Sequence, residues 1–382
     1  MALPAQPSCR DEFEIAIICA LRIERDAVEA LLDEEYETDS FSYGKSAADK
    51  NAYTTGRIGD QNVVLAYMPS MGMITATAVA ANMGASFQGI KCALVVGVCG
   101  GIPITADGTE ILLGDVIIST SVIQTDFGRQ LPDRLVRKKE EEDTLGRANP
   151  EIRAFAGRLS GYLVRTRLEE KTAAYSAQVC AKPGFSQSVY PGPEHDKLYP
   201  ADHRHKHRQK TGVQANKIHE PCICDNCQSQ DDEACQLALQ SSCEDLGCAD
   251  SLSVERTRIQ KAMGVGTDGR VLNDAEVHEA QAPAIHFGRM ACSNQVMKSG
   301  RHRDQIAQEE KVIGFEMESA GTGHVVPTIV IKSVCDYADS HKNKRWQDYA
   351  AVTAAACTKA VLEEWRNVDR PQTHRLERGD QG

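Results

Sequence analysis

Three acidic residues stand directly behind apolar runs: Glu24 after the run ending at Leu21, Glu318 after Ile313–Met317, and Asp336 after Ile329–Cys335. A carboxylate just past the C-terminal end of a strand falls on the edge of an open α/β sheet where ligands bind. Desolvation or a neighbouring charge there sets its protonation state, which suits it to moving a proton or holding a hydroxyl. Each also has a plainer reading as a helix cap or salt-bridge partner, and Glu318 opens a helix whose dipole favours an acid. Gly97-Val98-Cys99-Gly100-Gly101 follows another strand, and glycine lets backbone amides approach a bound molecule closely. The segment is neither GxGxxG nor a P-loop, and such a glycine pair ordinarily makes a tight turn.

A second kind of chemistry is concentrated between residues 195 and 250. Six of the 14 cysteines (Cys222, Cys224, Cys227, Cys235, Cys243, Cys248) and five of the 11 histidines (His195, His203, His205, His207, His219) lie there. Cys222, Cys224 and Cys227 with His205 upstream have the donor types of a tetrahedral zinc site, although the spacing fits no standard finger. A structural zinc would hold together a segment with too few apolar residues to fold alone. Disulfides and free thiols are the competing readings. Cys19, Cys92, Cys99, Cys335 and Cys357 fall in strands or a helix and read as small buried hydrophobes.

The elements that must position these residues are marked by hydrophobic pattern. Strands are predicted at Glu14–Cys19, Asn62–Met68, Cys92–Gly97 and Ile111–Val122, with a crossover helix over Thr75–Phe87. Strand, helix, strand implies a parallel α/β sheet. The grammar returns with strands at Ala284–Cys292 and Pro327–Cys335, helices at Arg301–Lys311 and Glu318–His324, and an amphipathic helix over Asp348–Trp365. Between the halves, 133–147 is a charge run expected to be solvated, and Glu151–Leu168 reads as a helix. The organisation expected is one α/β domain over 13–365, a Cys/His-rich insertion over 183–280 within it, and a frayed polar tail over 366–382.

Composition bounds the partners. The chain has 382 residues and a net charge of −11, which gives no field for holding polyphosphate and argues against nucleic-acid binding, a zinc-dependent reader included. The longest apolar runs fall far short of the roughly 20 residues that span a bilayer. The opening MALPAQPSCRDEFE has no secretory pattern, so the expectation is a cytoplasmic protein with no membrane partner.

GFEMESAG (314–321), IVIKSVCDYADSHKN (329–343) and the helix beginning WQDYAAVTAAA occur in order after IAIICALRIERDAVEALL, LVVGVCGGI and LLGDVIIST. This ordered set resembles the purine and uridine phosphorylase superfamily. It is most similar to the nucleosidase branch that includes methylthioadenosine/S-adenosylhomocysteine nucleosidase, and to related fungal modules. HFGRMACSNQVMKSG (286–300) resembles the family's base-contacting strand. The resemblance implies a three-layer α/β/α fold with a central mixed, mainly parallel sheet, no cofactor for catalysis, and a homo-oligomer, at least a dimer. It implies that Glu318 accepts the ribose hydroxyls with Met317 under the sugar, and that Asp336 is the acid at purine N7. Glu24 would position or deprotonate water, Val296 and Met297 would line the base pocket, and Gly100 and Gly101 would form the turn near the sugar.

The chemistry is coherent with those roles. Breaking an N-glycosidic bond builds positive charge on the sugar and negative charge on the base, so an acid at N7 and an ionised carboxylate at the sugar both help. Desolvation would supply the raised pKa that the acid needs. Val98 replaces the serine that the family has in the glycine turn, which bears on how the sugar is positioned. Glu24 in the nucleophile pocket would repel phosphate by about 1–4 kcal/mol at 4 Å, which favours water, whereas Arg22 or Arg25 turned inward would favour phosphate. An adenosine-like purine nucleoside is the expected substrate. A phosphorolytic enzyme and a non-catalytic nucleoside-sensing module remain alternatives. If the insertion closes over the site, Tyr190 and Tyr199 are candidates to stack on a base.

Overall fold

β1 (Ile15–Cys19) is apolar throughout and buried on both faces, the pattern of a central parallel strand. The computed structural model describes residues 6–37, 42–132, 135–138, 150–207, 223–226, 233–248 and 252–365. After β1 come α1 (Arg22–Glu29), β2 (Glu34–Glu35), β3 (Tyr53–Ile58), β4 (Gln61–Tyr67), α2 (Met73–Ser86), β5 (Cys92–Gly101) and β6 (Val116–Gln124). A hairpin of β7 (Gly128–Gln130) and β8 (Leu135–Arg137) follows, then α3 (Pro150–Leu159) and α4 (Tyr162–Cys180). Short helices α5 (Gln236–Gln240), α6 (Cys243–Leu246), α7 (Thr257–Ala262) and α8 (Asp274–Gln281) occupy the region between α4 and β9 (Ile285–Cys292). The chain continues through α9 (Gly300–Glu310), β10 (Val312–Glu316), α10 (Ser319–Gly323), β11 (Thr328–Asp336) and α11 (Gln347–Glu364).

The sheet is mixed, in the order β10-β9-β6-β11-β5-β1-β4-β3-β2, and β10 also pairs antiparallel with the end of β5 at Gly100 and Gly101. β5 lies between β1 and β11, parallel to both. One face of the sheet packs on α1, α3, α4 and α11. The other packs on α2 through Ala76, Val79, Ala80 and Met83. This is the expected three-layer α/β/α arrangement. α11 is alanine-rich and buried on nearly every side, because it lies between the sheet and α4 rather than at the surface. No helix of the described residues is long and apolar enough to cross a membrane.

Local differences from the sequence pattern have local causes. The strand expected from Ile111 begins at Val116, because Gly114 takes a positive φ and Leu112 N–H bonds the Asp115 carboxylate at 2.9 Å, turning the chain there. The helix expected over Glu151–Leu168 is two helices, α3 and α4, interrupted at Ser160 and Gly161. β3 is an additional strand, antiparallel to β4. The charge run over 133–147 lies largely outside the described residues, as do the tail over 366–382, Cys222 and Cys227.

Asp115 ties the region before β9 to the sheet. Its carboxylate meets Arg258 at 2.6 Å, His286 Nε2 at 2.9 Å and Ala284 N–H at 3.0 Å. Burial works against its charge, but Arg258 and His286 outweigh that and hold its pKa well below the usual carboxylate range. Asp115→Ala should therefore cost about 3–5 kcal/mol at pH 7 by leaving a largely buried guanidinium unpaired. Because the folded pKa is depressed, the aspartate's contribution is complete above its unfolded value near 4 and is lost as pH falls below it. Urea unfolding of both proteins should show the gap closing under acid conditions. A gap that does not change with pH would contradict the assignment.

Candidate active site

The C-terminal ends of β1, β5 and β11 meet the end of β10 at one edge of the sheet, and the three carboxylates are delivered there. Glu24 lies in the first turn of α1 and folds back, so that Oε2 accepts from Ala20 N–H (2.9 Å) and Leu21 N–H (2.8 Å) while Oε1 accepts from Val98 N–H (2.8 Å). Gly97 is required by this approach. A Cβ there would sit 2.0 Å from Glu24 Oε1.

Glu318 precedes α10 and meets Lys332 Nζ at 3.1 Å, and the same ammonium is 4.0 Å from Glu24 Oε1. Lys332 is in register with Gly97 and its side chain is 1 % exposed. Glu316, also buried, accepts N–H bonds from Glu318 and Ser319 at 3.0 Å each and a hydroxyl bond from Ser319. Burial raises the pKa of Glu24; Lys332 opposes this and Glu318 adds to it. Burial and then the Glu318 charge raise that of Glu316. Burial acts to discharge Lys332, yet Glu318, Glu24 and Glu316 together hold its pKa well above the ordinary lysine value.

Asp336 ends β11 opposite Gly100, after an irregularity in register between Val334 and Asp336. Its Oδ1 accepts from Ala338 N–H at 2.9 Å, and its Oδ2 accepts from the Cys335 thiol at 3.2 Å. Lys342 Nζ lies 2.7 Å from Oδ2. Asp336 is therefore ion-paired as well as buried, a partner that the apolar run before it does not reveal. Burial acts to lower the Lys342 pKa, and Asp336 reverses it.

Glu24, Glu318 and Asp336 thus flank one segment, Gly97–Gly101. The expected neighbours are placed around it. Met317 is half-buried between Glu316 and Glu318, and Val98 is half-buried with its N–H on Glu24. A Cβ on Gly100 would press on Ala338 Cβ and Asp336 Oδ1, and one on Gly101 on Val334. Val296, 48 % exposed, and Met297, half-buried, lie in the loop after β9, which leaves Val296 open rather than enclosed as a pocket wall. Arg22 and Arg25 are both engaged by Asp26, at 3.1 and 2.6 Å, and the Arg22 side chain is 83 % exposed. Tyr190 packs edge-on against Trp346 and Tyr349, and Tyr199 is buried against His341, so neither presents a ring for a base. Sequence reasoning missed Lys332, Lys342 and Glu316. A lysine inside the apolar strand IVIKSVCD was the available signal for the first.

The zinc-type donors are grouped differently from the expectation. His205 joins Cys243 and Cys248, whereas Cys224 joins His207 and Cys235. Cys19, Cys92, Cys99, Cys335 and Cys357 are buried, and burial pushes each thiol pKa up.

Residues 14–171 match the model of the phosphorylase superfamily. Over this stretch the chain is similar to the phosphorylase superfamily. The match includes Glu24 and Gly97–Gly101; Glu318 and Asp336 lie beyond it. A nucleotide-binding leucine-rich repeat-like protein of Hyaloscypha variabilis is 27 % identical over 358 residues, covering 92 % of this chain and 29 % of that protein. The chain therefore spans less than a third of that relative's length. Among solved structures, the 5′-methylthioadenosine/S-adenosyl homocysteine nucleosidase of Helicobacter pylori is similar, with a TM-score of 0.50 at 15 % identity over 92 % of this chain and 99 % of that one. The S-adenosylhomocysteine nucleosidase of Streptococcus pyogenes gives a TM-score of 0.50 at 13 % identity over 95 % and 100 %. At these identities the likeness is one of fold.

The candidate site rests on Lys332, and that can be measured. Lys332→Met should cost about 3–5 kcal/mol at pH 8, because it strands buried carboxylates without a cation. Carboxyls whose folded pKa is raised favour the folded state below that pKa and lose the contribution as pH rises. The deficit should therefore narrow toward pH 5 in urea titrations. A deficit equal at both pH values would reduce Lys332 to a packing role.

Proposed function

We propose that the chain is a purine nucleosidase that hydrolyses the N-glycosidic bond of adenosine-like nucleosides to free base and ribose. The observation that carries this reading is the convergence of Glu24, Glu318 with Lys332, and Asp336 on Gly97–Gly101. In this reading Glu318 accepts the ribose 2′ and 3′ hydroxyls, Met317 lies under the sugar, and the negative charge favours the oxocarbenium-like transition state. As the C1′–N9 bond breaks, Asp336 delivers a proton to N7, and the Lys342 ammonium 2.7 Å from its Oδ2 holds the carboxyl in place. Water attacks C1′ and gives its proton to Glu24, whose raised pKa suits a base working near neutral pH. These steps need no cofactor. By the family's habit the working unit is at least a homodimer.

Water is favoured over phosphate because the three carboxylates make the site acidic and its buried cation is already committed to Glu318, while Arg22 and Arg25 are held by Asp26. The names of the similar solved nucleosidases support the same class. A second reading has its own support: the Hyaloscypha relative is a much longer nucleotide-binding leucine-rich repeat-like protein, which suits a nucleoside-sensing unit that binds without turnover.

The test is incubation of the chain with adenosine, inosine, guanosine and methylthioadenosine, with and without phosphate, followed by identification of the sugar. Free ribose (methylthioribose from the last) in phosphate-free buffer is expected. Asp336→Ala and Glu24→Gln should each lower kcat by about 10²- to 10⁴-fold. Ribose 1-phosphate formed only with phosphate would convert the assignment to a phosphorylase, and tight binding without product would favour the sensor.

A further inference from the structure

His205 and His341 are separated by much of the chain, yet they meet at a seam between the Cys/His-rich segment and the loop after Asp336. His205 is buried and its Nε2 lies 2.9 Å from the Ser241 carbonyl oxygen, which fixes Nε2 as the protonated nitrogen. Nδ1 is then a lone-pair donor, and it faces Cys248 Sγ at 3.5 Å and Cys243 Sγ at 3.7 Å. All three donor atoms lie within 4.8 Å of one another. Tetrahedral zinc with bonds of about 2.3 Å to sulfur and about 2.0 Å to nitrogen separates such a pair of ligands by about 3.6 Å. The spacing is already that of a coordination shell, and a backbone carbonyl on the second ring nitrogen is the usual device for orienting a ligating histidine.

Among the described residues the group of three lacks a fourth donor within the same spacing, and the histidine nearest to it is His341, whose ring centroid lies 5.2 Å from that of His205. His341 is 6 % exposed, neither ring nitrogen finds a hydrogen-bond partner of ordinary geometry, and its ring interacts with the Cys248 thiol. A buried imidazole left unsatisfied requires an explanation, and an ion is a standard one. Its ring stacks on Tyr199 at 4.2 Å and stands edge-on to His205, centroids 5.2 Å apart. The Asp339 carboxylate is 3.8 Å from its Nδ1. His205 N–H also donates to Ser340 Oγ at 3.0 Å, so backbone and side chain close the same seam. Among the described residues the apolar cluster of this segment is Tyr199, Cys224, Ala234, Ala238, Leu246 and Cys248 with Cys235 and Cys243 packed against it, a small core to order a segment by burial alone.

We propose that His205, Cys243, Cys248 and His341 form a structural zinc site that clasps the insertion to the loop carrying Lys342. The proposal is independent of the catalytic reading, and its readouts are metal content and metal release. The neighbouring set of His207, Cys224 and Cys235, with Cys235 Sγ 3.4 Å from His207 Nδ1, offers three further donors. The test is built to give the same result whatever that set holds.

The full chain, grown with zinc and gently purified, is analysed for metal beside the Cys243→Ser/Cys248→Ser double variant and His341→Ala. The double variant should carry one equivalent of zinc less than the unmodified chain. His341→Ala should surrender zinc at a lower chelator concentration. Cobalt exchanged into the unmodified chain should give tetrahedral thiolate bands that weaken in the double variant. Should the double variant fail to fold, the unmodified chain still decides the matter, because chelation should release zinc and unmask the Cys243 and Cys248 thiols to a thiol reagent together. Equal zinc in the unmodified chain and a folded double variant, absence of metal from the unmodified chain, or a Cys243–Cys248 disulfide found by mass spectrometry would overturn the site. Unchanged chelator sensitivity in His341→Ala would remove the fourth ligand and with it the clasp.

Discussion

One ammonium group makes the candidate site possible. Lys332 is enclosed at the sheet edge with Glu318 at 3.1 Å and Glu24 at 4.0 Å, and Glu316 is buried beside them. Carboxylates removed from water are expensive, and bringing several together multiplies the penalty unless a cation is held among them. One cation cannot neutralise three acids. Burial, with the Glu318 charge adding to it, accordingly raises the pKa values of Glu24 and Glu316. The arrangement therefore leaves a proton-binding group at the edge where a polar ligand would dock, and this is a property of the packing before it is a property of any reaction.

The backbone is shaped around these charges. Gly97 has no side chain because Glu24 occupies the space a Cβ would need, and Val98 turns its N–H to the same carboxylate. On the neighbouring strand the register shifts between Val334 and Asp336, which re-aims the last residue toward Gly100. Irregularities of this kind commonly redirect a side chain beside a functional site. Loop and strand distortions here serve the placement of two acids on either end of one five-residue segment.

How much of this was readable follows from the range of each interaction. β1, β5 and β11 were legible because strands buried on both faces are continuously apolar, and Glu24, Glu318 and Asp336 were legible because they end or follow such runs. β3, with Thr54, Thr55 and Gly56 at its centre, has no run to detect and exists because β4 offers it an edge. The break between α3 and α4 was written in Gly161 and was passed over because the apolar spacing continues across it. Lys342 on Asp336, and His205 with Cys243 rather than Cys224, depend on how distant segments fold together. Spacing along the chain carries no information about that.

The same long-range packing ties the chemistry to the insertion. Tyr337, next to Asp336, donates its hydroxyl to Asp196 at 2.8 Å, and Asp196 is paired with buried Arg256 at 2.9 Å, both from the region between α4 and β9. Asp196 also accepts from Leu113 N–H at 2.9 Å, which carries the connection into the turn before β6. Burial raises the Tyr337 pKa further from ionisation, so this hydroxyl remains a donor and the network keeps its polarity. Removing either partner of such a buried pair leaves an unpaired charge, which costs more than the pair itself contributes. The segment over 183–280 is thus not an appendage laid over a finished domain. It supplies half of the polar contacts that fix the residue following Asp336, and a chain without it would have to place its acid by other means.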